Sequence, residues 1–447
     1  MLCRGSDLKT AVAEESCHYT AVRCFRLSLI TRHFSLLAAM QRPSLWPLLV
    51  VLLLGLLFLR EPAFQRFEEI YLRWLVRNSL PTGPPIPLTL VEIDSESSQK
   101  SRTRVPRGAR DRGLPLELAL FLQGILDFKP TVIAIEPILD WGQRDKEQEQ
   151  VFIDQAMRVP RLLLGAELTA TPDPDAPVPE IPGFTQVTGK RGDIPEFSGI
   201  ARQPSEDVRV ISTLGFINLP YEMTNEARVP LLFQYRGEII PSFAFQAALF
   251  WLRIPLNDVK VDIGSAILLS NGTKIPIRSD GTALINSRIA RRARHVALDE
   301  LLLAAQQRET GASTTTELDD VSDQLVVART SAGSNAPDYF AATIAAIQSG
   351  SFIRRVSWIF DCVIIVLVAA VSGVVRQFSR VDLVLIAIAF TAGYCLFDLA
   401  ILSRWSIWLP GCLPIGAVWI LVIFSLAQPK TKDAPRTVAI AAPPPAP

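Results

Sequence analysis

Two carboxylates near the ends of apolar runs are the residues of this chain best suited to hold a ligand or move a proton. Asp94 closes LTLVEID and Glu136 stands near the end of TVIAIEPIL, with Asp140 one turn further on and Arg107 in the segment after the first run. If the two runs are neighbouring strands of a parallel sheet, about 4.8 Å apart, both carboxylates share its carboxyl edge. Open α/β folds bind ligands at that edge. The expectation is a site for a cation or polar ligand built from Asp94, Arg107, Glu136 and Asp140. The plainer alternative is that these residues cap helices and pair with a nearby arginine.

Other chemistries are poorly served. His295, in ARRARHVALDE, is the only histidine between Glu61 and Arg355, and that segment has no cysteine. A zinc site of His and Cys ligands and a Cys–His nucleophile are therefore excluded there, as is any disulfide. Ser95 and Ser97 follow Asp94, but no G-x-S-x-G elbow surrounds a serine and no G-x-x-x-x-G-K loop is present. Neither catalytic residues, a metal nor a cofactor is expected, so the chain reads as a non-enzyme. A net charge of +1, with basic residues dispersed, gives no face for nucleic acid.

Apolar content is concentrated, and its distribution sets the class of protein. Leu45 to Leu59, Val356 to Val375, Leu383 to Leu402 and Ile407 to Ala427 read as four transmembrane helices, each near the ~20 residues that cross a bilayer. The first is short, but the REPAFQRF after it lacks a small-x-small cleavage pattern, so it reads as an uncleaved anchor with Arg42 and Arg60 snorkelling at its ends. Basic residues in short flanks stay cytoplasmic. Arg4, Lys9, Arg23, Arg26, Arg32 and Arg42, then Arg376 and Arg380, then Lys430, Lys432 and Arg436 place both termini inside. Residues 61–355 are then exported, giving a multi-pass protein of the cell inner membrane with its large domain in the periplasm. Arg60, Arg66, Arg73, Arg77, Arg354 and Arg355 fall outside in this arrangement, as long domains translocate largely regardless of charge.

Asp361 and Asp398 lie about one and a half turns from the outer face at matching depth, which predicts a pair facing the bundle. The alternative is that each reaches interfacial water or pairs with Arg354, Arg355 or Arg404. Pro410 and Pro414 predict a kinked last span. Residues 1–44 are either a cytoplasmic leader or, before Met40, untranslated, since MQRPSLWPLL has the form of a natural start. Residues 428–447, rich in proline and alanine, cannot build a core and at most dock a partner.

Within the exported segment, FEEIYLRWL puts Phe67, Ile70, Tyr71, Trp74 and Leu75 on one helix face, expected to pack on the domain; the alternative, a helix lying on the lipid surface, is disfavoured because anionic lipid would repel Glu68 and Glu69. LTLVEID, GLPLELALFLQGILDF and TVIAIEPIL read as a βαβ unit, apolar throughout as a doubly covered parallel sheet requires. Helix from Asp145 to Met157 and strand from Arg161 to Leu168 extend it; TATPDPDAPVPEIPGF is a loop. RVPLLFQY reads as a strand and SFAFQAALFWL as a helix with Ser242 as N-cap. Asn271-Gly272 and Asp280-Gly281 signal hairpins. LDELLLAAQQRE is helix, DQLVVA strand, and PDYFAATIAAIQSG a helix leading to the membrane through FIRRVSW. The fold class is α/β with a mainly parallel sheet and an antiparallel hairpin addition.

This order of parts resembles the type-two CHASE domain, an extracytoplasmic sensory module of bacterial receptors joined to one N-terminal and three C-terminal spans. The likeness is carried by VEID at Val91 to Asp94, VPR at Val105 to Arg107, VIAIEPIL at Val132 to Leu139, PSFAFQAA at Pro241 to Ala248 and FIRR at Phe352 to Arg355, and it extends from Phe67 to about Ala427. Two features depart from the family. Arg329 stands where a glycine is usual, and no cyclase or kinase follows the last span. The resemblance implies a sensory receptor without its own effector, sensing a small molecule or cell-wall ligand and coupling through its lipid-embedded spans to a separate effector protein. Gly373, Gly393, Gly411 and Gly416 would permit close helix approach and homo-oligomers. The alternatives are an envelope scaffold or assembly protein that has kept the sensor fold, and a periplasmic hydrolase using Asp94, Glu136 and Asp140.

Overall fold

A computed structural model of the chain describes residues 62–93, 115–141, 146–171, 180–219, 227–311, 318, 321–330, 338–357, 359–360, 362–364, 366–367 and 379–427. Asp94, Ser95, Ser97, Arg107, Asp361, Gly373, the first apolar stretch, the leader and the tail lie outside those residues. The chain divides into two compact units, one of Gln65–Val356 with Ala392–Gly411, the other containing Ser357–Thr391 and the chain from Cys412.

The larger unit is built on the strands β1 (Leu88–Ile93), β2 (Val132–Ile138), β3 (Leu162–Thr169), β4 (Gly199–Arg202), β5 (Thr213–Phe216), β6 (Arg294–Ala297) and β7 (Leu325–Thr330). Their order is β6-β1-β7-β2-β3-β5, parallel throughout, with β4 antiparallel on the end of β3. Alternation explains why the strands are apolar along their whole length. Leu88 and Leu90, Val132 and Ala134, Leu163, and Leu325 and Val327 point into one core. Val91 and Ile93, Ile133 and Ile135, Leu162 and Leu164, and Val326 and Ala328 point into the other. The helices α2 (Pro115–Leu126), α3 (Lys146–Ala156) and α5 (Leu298–Glu309) cover the second face, while α4 (Phe243–Leu252) and α6 (Tyr339–Ser349) cover the first. A fully buried Leu or Ile stabilises by about 1.5–3 kcal/mol, so charge is admitted only where the strands emerge.

The helices and strands expected from periodicity are present, with differences at the turns. RVPLLFQY is two strands, Arg228–Pro230 and Leu232–Tyr235. The second pairs antiparallel with Glu238–Pro241 through Arg236 and Gly237, both at positive φ, the geometry of a two-residue hairpin turn. Asn271-Gly272 joins a hairpin of Ala266–Leu268 and Lys274–Pro276. Asp280-Gly281 does not. Thr282–Leu284 pairs instead with Arg228–Pro230, because Asp280 accepts the Thr282 N–H at 3.1 Å and Gly281 takes φ 74°, turning the chain into a different sheet. Ser242 holds the N-cap position of α4 without a side-chain capping bond.

Helix α1 (Pro62–Asn78) packs in the larger unit on a face rotated from the expected one. Glu68, Leu72, Leu75 and Val76 are buried, whereas Phe67, Ile70 and Trp74 are exposed. Counting apolar residues missed this because a glutamate joins the inward face. Its carboxylate accepts a backbone N–H, and Leu72, Leu75 and Val76 pack with Ile353, Leu402 and Trp408.

Among the described residues, one helix is long and apolar enough to cross a membrane, α7 (Arg380–Trp405). The described residues of the stretch Val356 to Val375 are helical from Ile359 on. The last apolar helix, α8 (Cys412–Ala427), starts later than Ile407. The strands β8 (Arg354–Arg355) and β9 (Ile407–Trp408) pair in parallel instead, after Ser406 leaves α7 at φ 54°. Pro410 therefore precedes α8 and Pro414 sits in its first turn, where a missing N–H costs nothing. The expected proline kink is replaced by a helix start.

Candidate functional site

A shared carboxylate edge needs the first two strands in the chain to be neighbours in the sheet. They are not: β7 lies between β1 and β2, with Glu92 opposite Arg329 and Ile135 opposite Ala328. An arginine thus occupies the carboxyl edge between the strand that leads to Asp94 and the strand that carries Glu136.

The Arg329 guanidinium is forked. Nη2 donates to Glu92 Oε1 and Nη1 to Asp338 Oδ2. Asp338 serves twice, since its Oδ1 accepts the Ala341 N–H at 2.8 Å and caps α6. His295 Nδ1 stands 3.7 Å from Glu92 at the rim. The hydrogen bond from Arg329 holds the Glu92 carboxyl below its ordinary range, against burial, which pushes the other way. For Arg329 burial is the largest influence and disfavours its charge, but Asp338, Glu92 and Glu136 outweigh it and raise its pKa. The guanidinium is therefore permanently charged and largely enclosed.

Glu136 approaches from β2 at a bulge between Ile135 and Ile138. The bulge accommodates Pro137, which could not serve a regular central strand. Gly165 of β3 is needed opposite, because a Cβ there would collide with the Glu136 carbonyl. Asp140 lies half-buried in the segment leaving β2, its N–H donating to the Ile138 carbonyl at 3.0 Å. The edge thus collects Glu92, Glu136, Asp338, Arg329 and His295. Of the expected site residues, Glu136 belongs to it, Asp140 lies two residues beyond the end of the same strand, and Asp94 and Arg107 lie outside the described residues. Such a group can bind a ligand carrying both an amine and an acceptor, or it can pin three strands and a helix together. Among the described residues no three His, Cys, Asp or Glu converge as they would on a metal ion.

A second polar group lies near the foot of the same unit. Asp398 of α7 is fully buried and accepts the Leu409 N–H at 3.3 Å. Glu68 of α1 accepts the Gly411 N–H at 3.2 Å, and Tyr394 donates to the Pro410 carbonyl at 2.7 Å. The Tyr71 phenol lies beside Asp398 and Cys395; burial, then the carboxylate, raises its pKa and keeps it protonated. Gly411 is closed over by the Tyr71 ring, which a Cβ would strike, so this glycine serves the chain's own packing, while Gly393 and Gly416 face open space. Asp398 is thus met by the turn after its own helix and by the Tyr71 phenol; the expected pairing with Asp361 falls outside the described residues.

Sequence reasoning missed Glu92, Arg329, Asp338 and Glu68. A usable signal existed for Arg329, a charge ending the apolar run DQLVVA, and for Asp338, a cap residue before an apolar helix. Compared with protein-family models, curated proteins and solved structures, the chain matches none.

Proposed function

We propose that this protein is a membrane-anchored sensory receptor of the type-two CHASE kind, with one N-terminal and three C-terminal spans and an exported α/β domain. The observation that carries the reading is a continuous line through the larger unit. Arg329 at the sheet edge grips Asp338, Asp338 caps α6, and α6 runs within five residues into Arg354–Arg355. That strand pairs with Ile407–Trp408, the turn fastened to α7 by Asp398. A polar ligand that competes for Arg329 or Glu92 would change the hold on α6 and bias the arrangement of the spans, as a ligand must if it is to signal. The output then passes through self-association or a separate effector.

A second reading has one observation in its favour. Arg329 already satisfies two carboxylates, which leaves the edge filled, as an envelope scaffold that has kept the fold would have it. Two experiments address these readings. A phosphatase fused at Gly272 should be active in the periplasm and one fused at Pro429 inactive; the reverse would contradict the layout. Pull-down of the full chain in detergent, against a version with its last three spans exchanged, should recover an effector with the native spans alone. The same partners from both would favour the scaffold.

A further inference from the structure

Helices α4 and α6 begin side by side over the first face of the sheet, and their first turns are finished differently. The rings of Phe243 in α4 and Phe340 in α6 meet edge to face at 5.6 Å, which makes the two turns neighbours. Asp338 caps α6 with its own carboxylate. At α4 the N-cap is Ser242, 1% exposed, whose Oγ makes no capping bond and has no hydrogen-bond partner among the described residues. Gln246, one turn on and 6% exposed, has an Oε1 in the same condition. Helical side chains lean toward the helix N-terminus, and this carries the Gln246 amide back over the Ser242 turn. The Ser242 N–H donates to the Leu231 carbonyl and the Gln246 N–H to the Ser242 carbonyl, both at 2.8 Å. Between them stand the N–H groups of Phe243, Ala244 and Phe245, for which a helix has no acceptor of its own. All three residues are buried.

The position in the fold is one that binds ligands. Ser242 bridges to Phe216, the last residue of β5, so α4 starts at the carboxyl edge of the parallel sheet. Gly215 permits the approach, since a Cβ there would come within 2.8 Å of the Phe243 ring. We infer that the N-terminus of α4 is a binding site for a small hydroxy or amino carboxylate. The carboxylate accepts from the first-turn amides and the Ser242 hydroxyl, where the helix dipole favours negative charge. The hydroxyl or amine beside it donates to Gln246 Oε1, an acceptor that a bare anion would leave unmatched. The inference takes its meaning from the sensory reading above and deepens it, because it names the chemical class of the signal and puts it beside the helix that Arg329 and Asp338 hold.

The test is hydrogen exchange of the full chain in detergent, in sodium lactate against sodium chloride at equal concentration, read at the amides of Ala244 and Phe245. Exchange at both should slow about tenfold once lactate exceeds its Kd by about as much. Ser242→Ala and Gln246→Leu should each remove most of that protection. The native comparison needs neither variant, so it decides even if one fails to fold. Equal exchange in the two salts would overturn the inference, as would protection that persists in both folded variants. Protection at Ala341 with none at Ala244 and Phe245 would place the carboxylate on Arg329, overturning this site and leaving the sensory reading in place. Protection at Ala244 and Phe245, with a pull-down that recovers the same partners whichever spans are present, would keep the site and remove the receptor.

Discussion

The sheet edge and the knot around Asp398 hold carboxylates in one folded unit and satisfy them by different means. At the edge, Glu92 and Asp338 share one guanidinium, with Glu92 and His295 open to solvent. In the knot, Glu68 and Asp398 are buried and each accepts a backbone N–H from the turn between α7 and α8. Charge pairs that reach water are worth little, whereas a buried polar group left without its partner costs the full desolvation penalty. The edge is therefore the part that can rearrange, and the knot the part that must stay.

That contrast orders the expected effects of substitution. Gly411→Ala should be the most damaging, by about 3 kcal/mol, since the methyl group has nowhere to go but the Tyr71 ring. Thermal unfolding of the full chain in detergent reads it, and an unchanged midpoint would mean that the knot yields easily. Asp398→Ala should cost about 2 kcal/mol by stranding the Leu409 N–H. Asp398→Asn, which keeps an acceptor, should cost less than half as much; equal losses would show that charge and not the hydrogen bond matters. Asp338→Ala removes a cap and should cost about 1 kcal/mol in the same assay. It should also leave Arg329 held by Glu92 alone and make α6 exchange its first-turn amides faster.

The smallest effect should be a pH dependence at the edge. The folded Glu92 carboxyl lies below its ordinary value of 4.5, so its contribution is fully present above that pH and is lost as pH falls through the lowered value. The difference in midpoint between the native chain and Glu92→Gln should shrink on acidification. A difference constant with pH would mean that the ion pair contributes nothing.

Much of the fold could be read from pattern, because strands such as VIAIEPI must be apolar on both faces and LDELLLAAQQRE must be a helix. Strand order could not. Nothing local in DQLVVART says that it inserts between two strands more than two hundred and about one hundred and ninety residues away, as the paired residues Leu88 and Val132 opposite Leu325 do. The expected edge therefore named Glu136 without the arginine of β7 that stands between it and β1. Hairpin signals failed where a side chain redirected the turn, as Asp280 does through Thr282. The face of α1 was misjudged because Glu68, polar by type, is buried by a backbone partner far along the chain. Such long-range satisfaction leaves no periodic trace.

The central claim is that the edge and the knot are mechanically joined through α6 and the paired strands β8 and β9. Hydrogen exchange of the full chain in detergent, native against Arg329→Gln, tests it at the amides of Leu409 and Gly411, which report on Asp398 and Glu68. The account predicts faster exchange at both when the edge is released. Faster exchange at Ala341, with Leu409 and Gly411 unchanged, would contradict it.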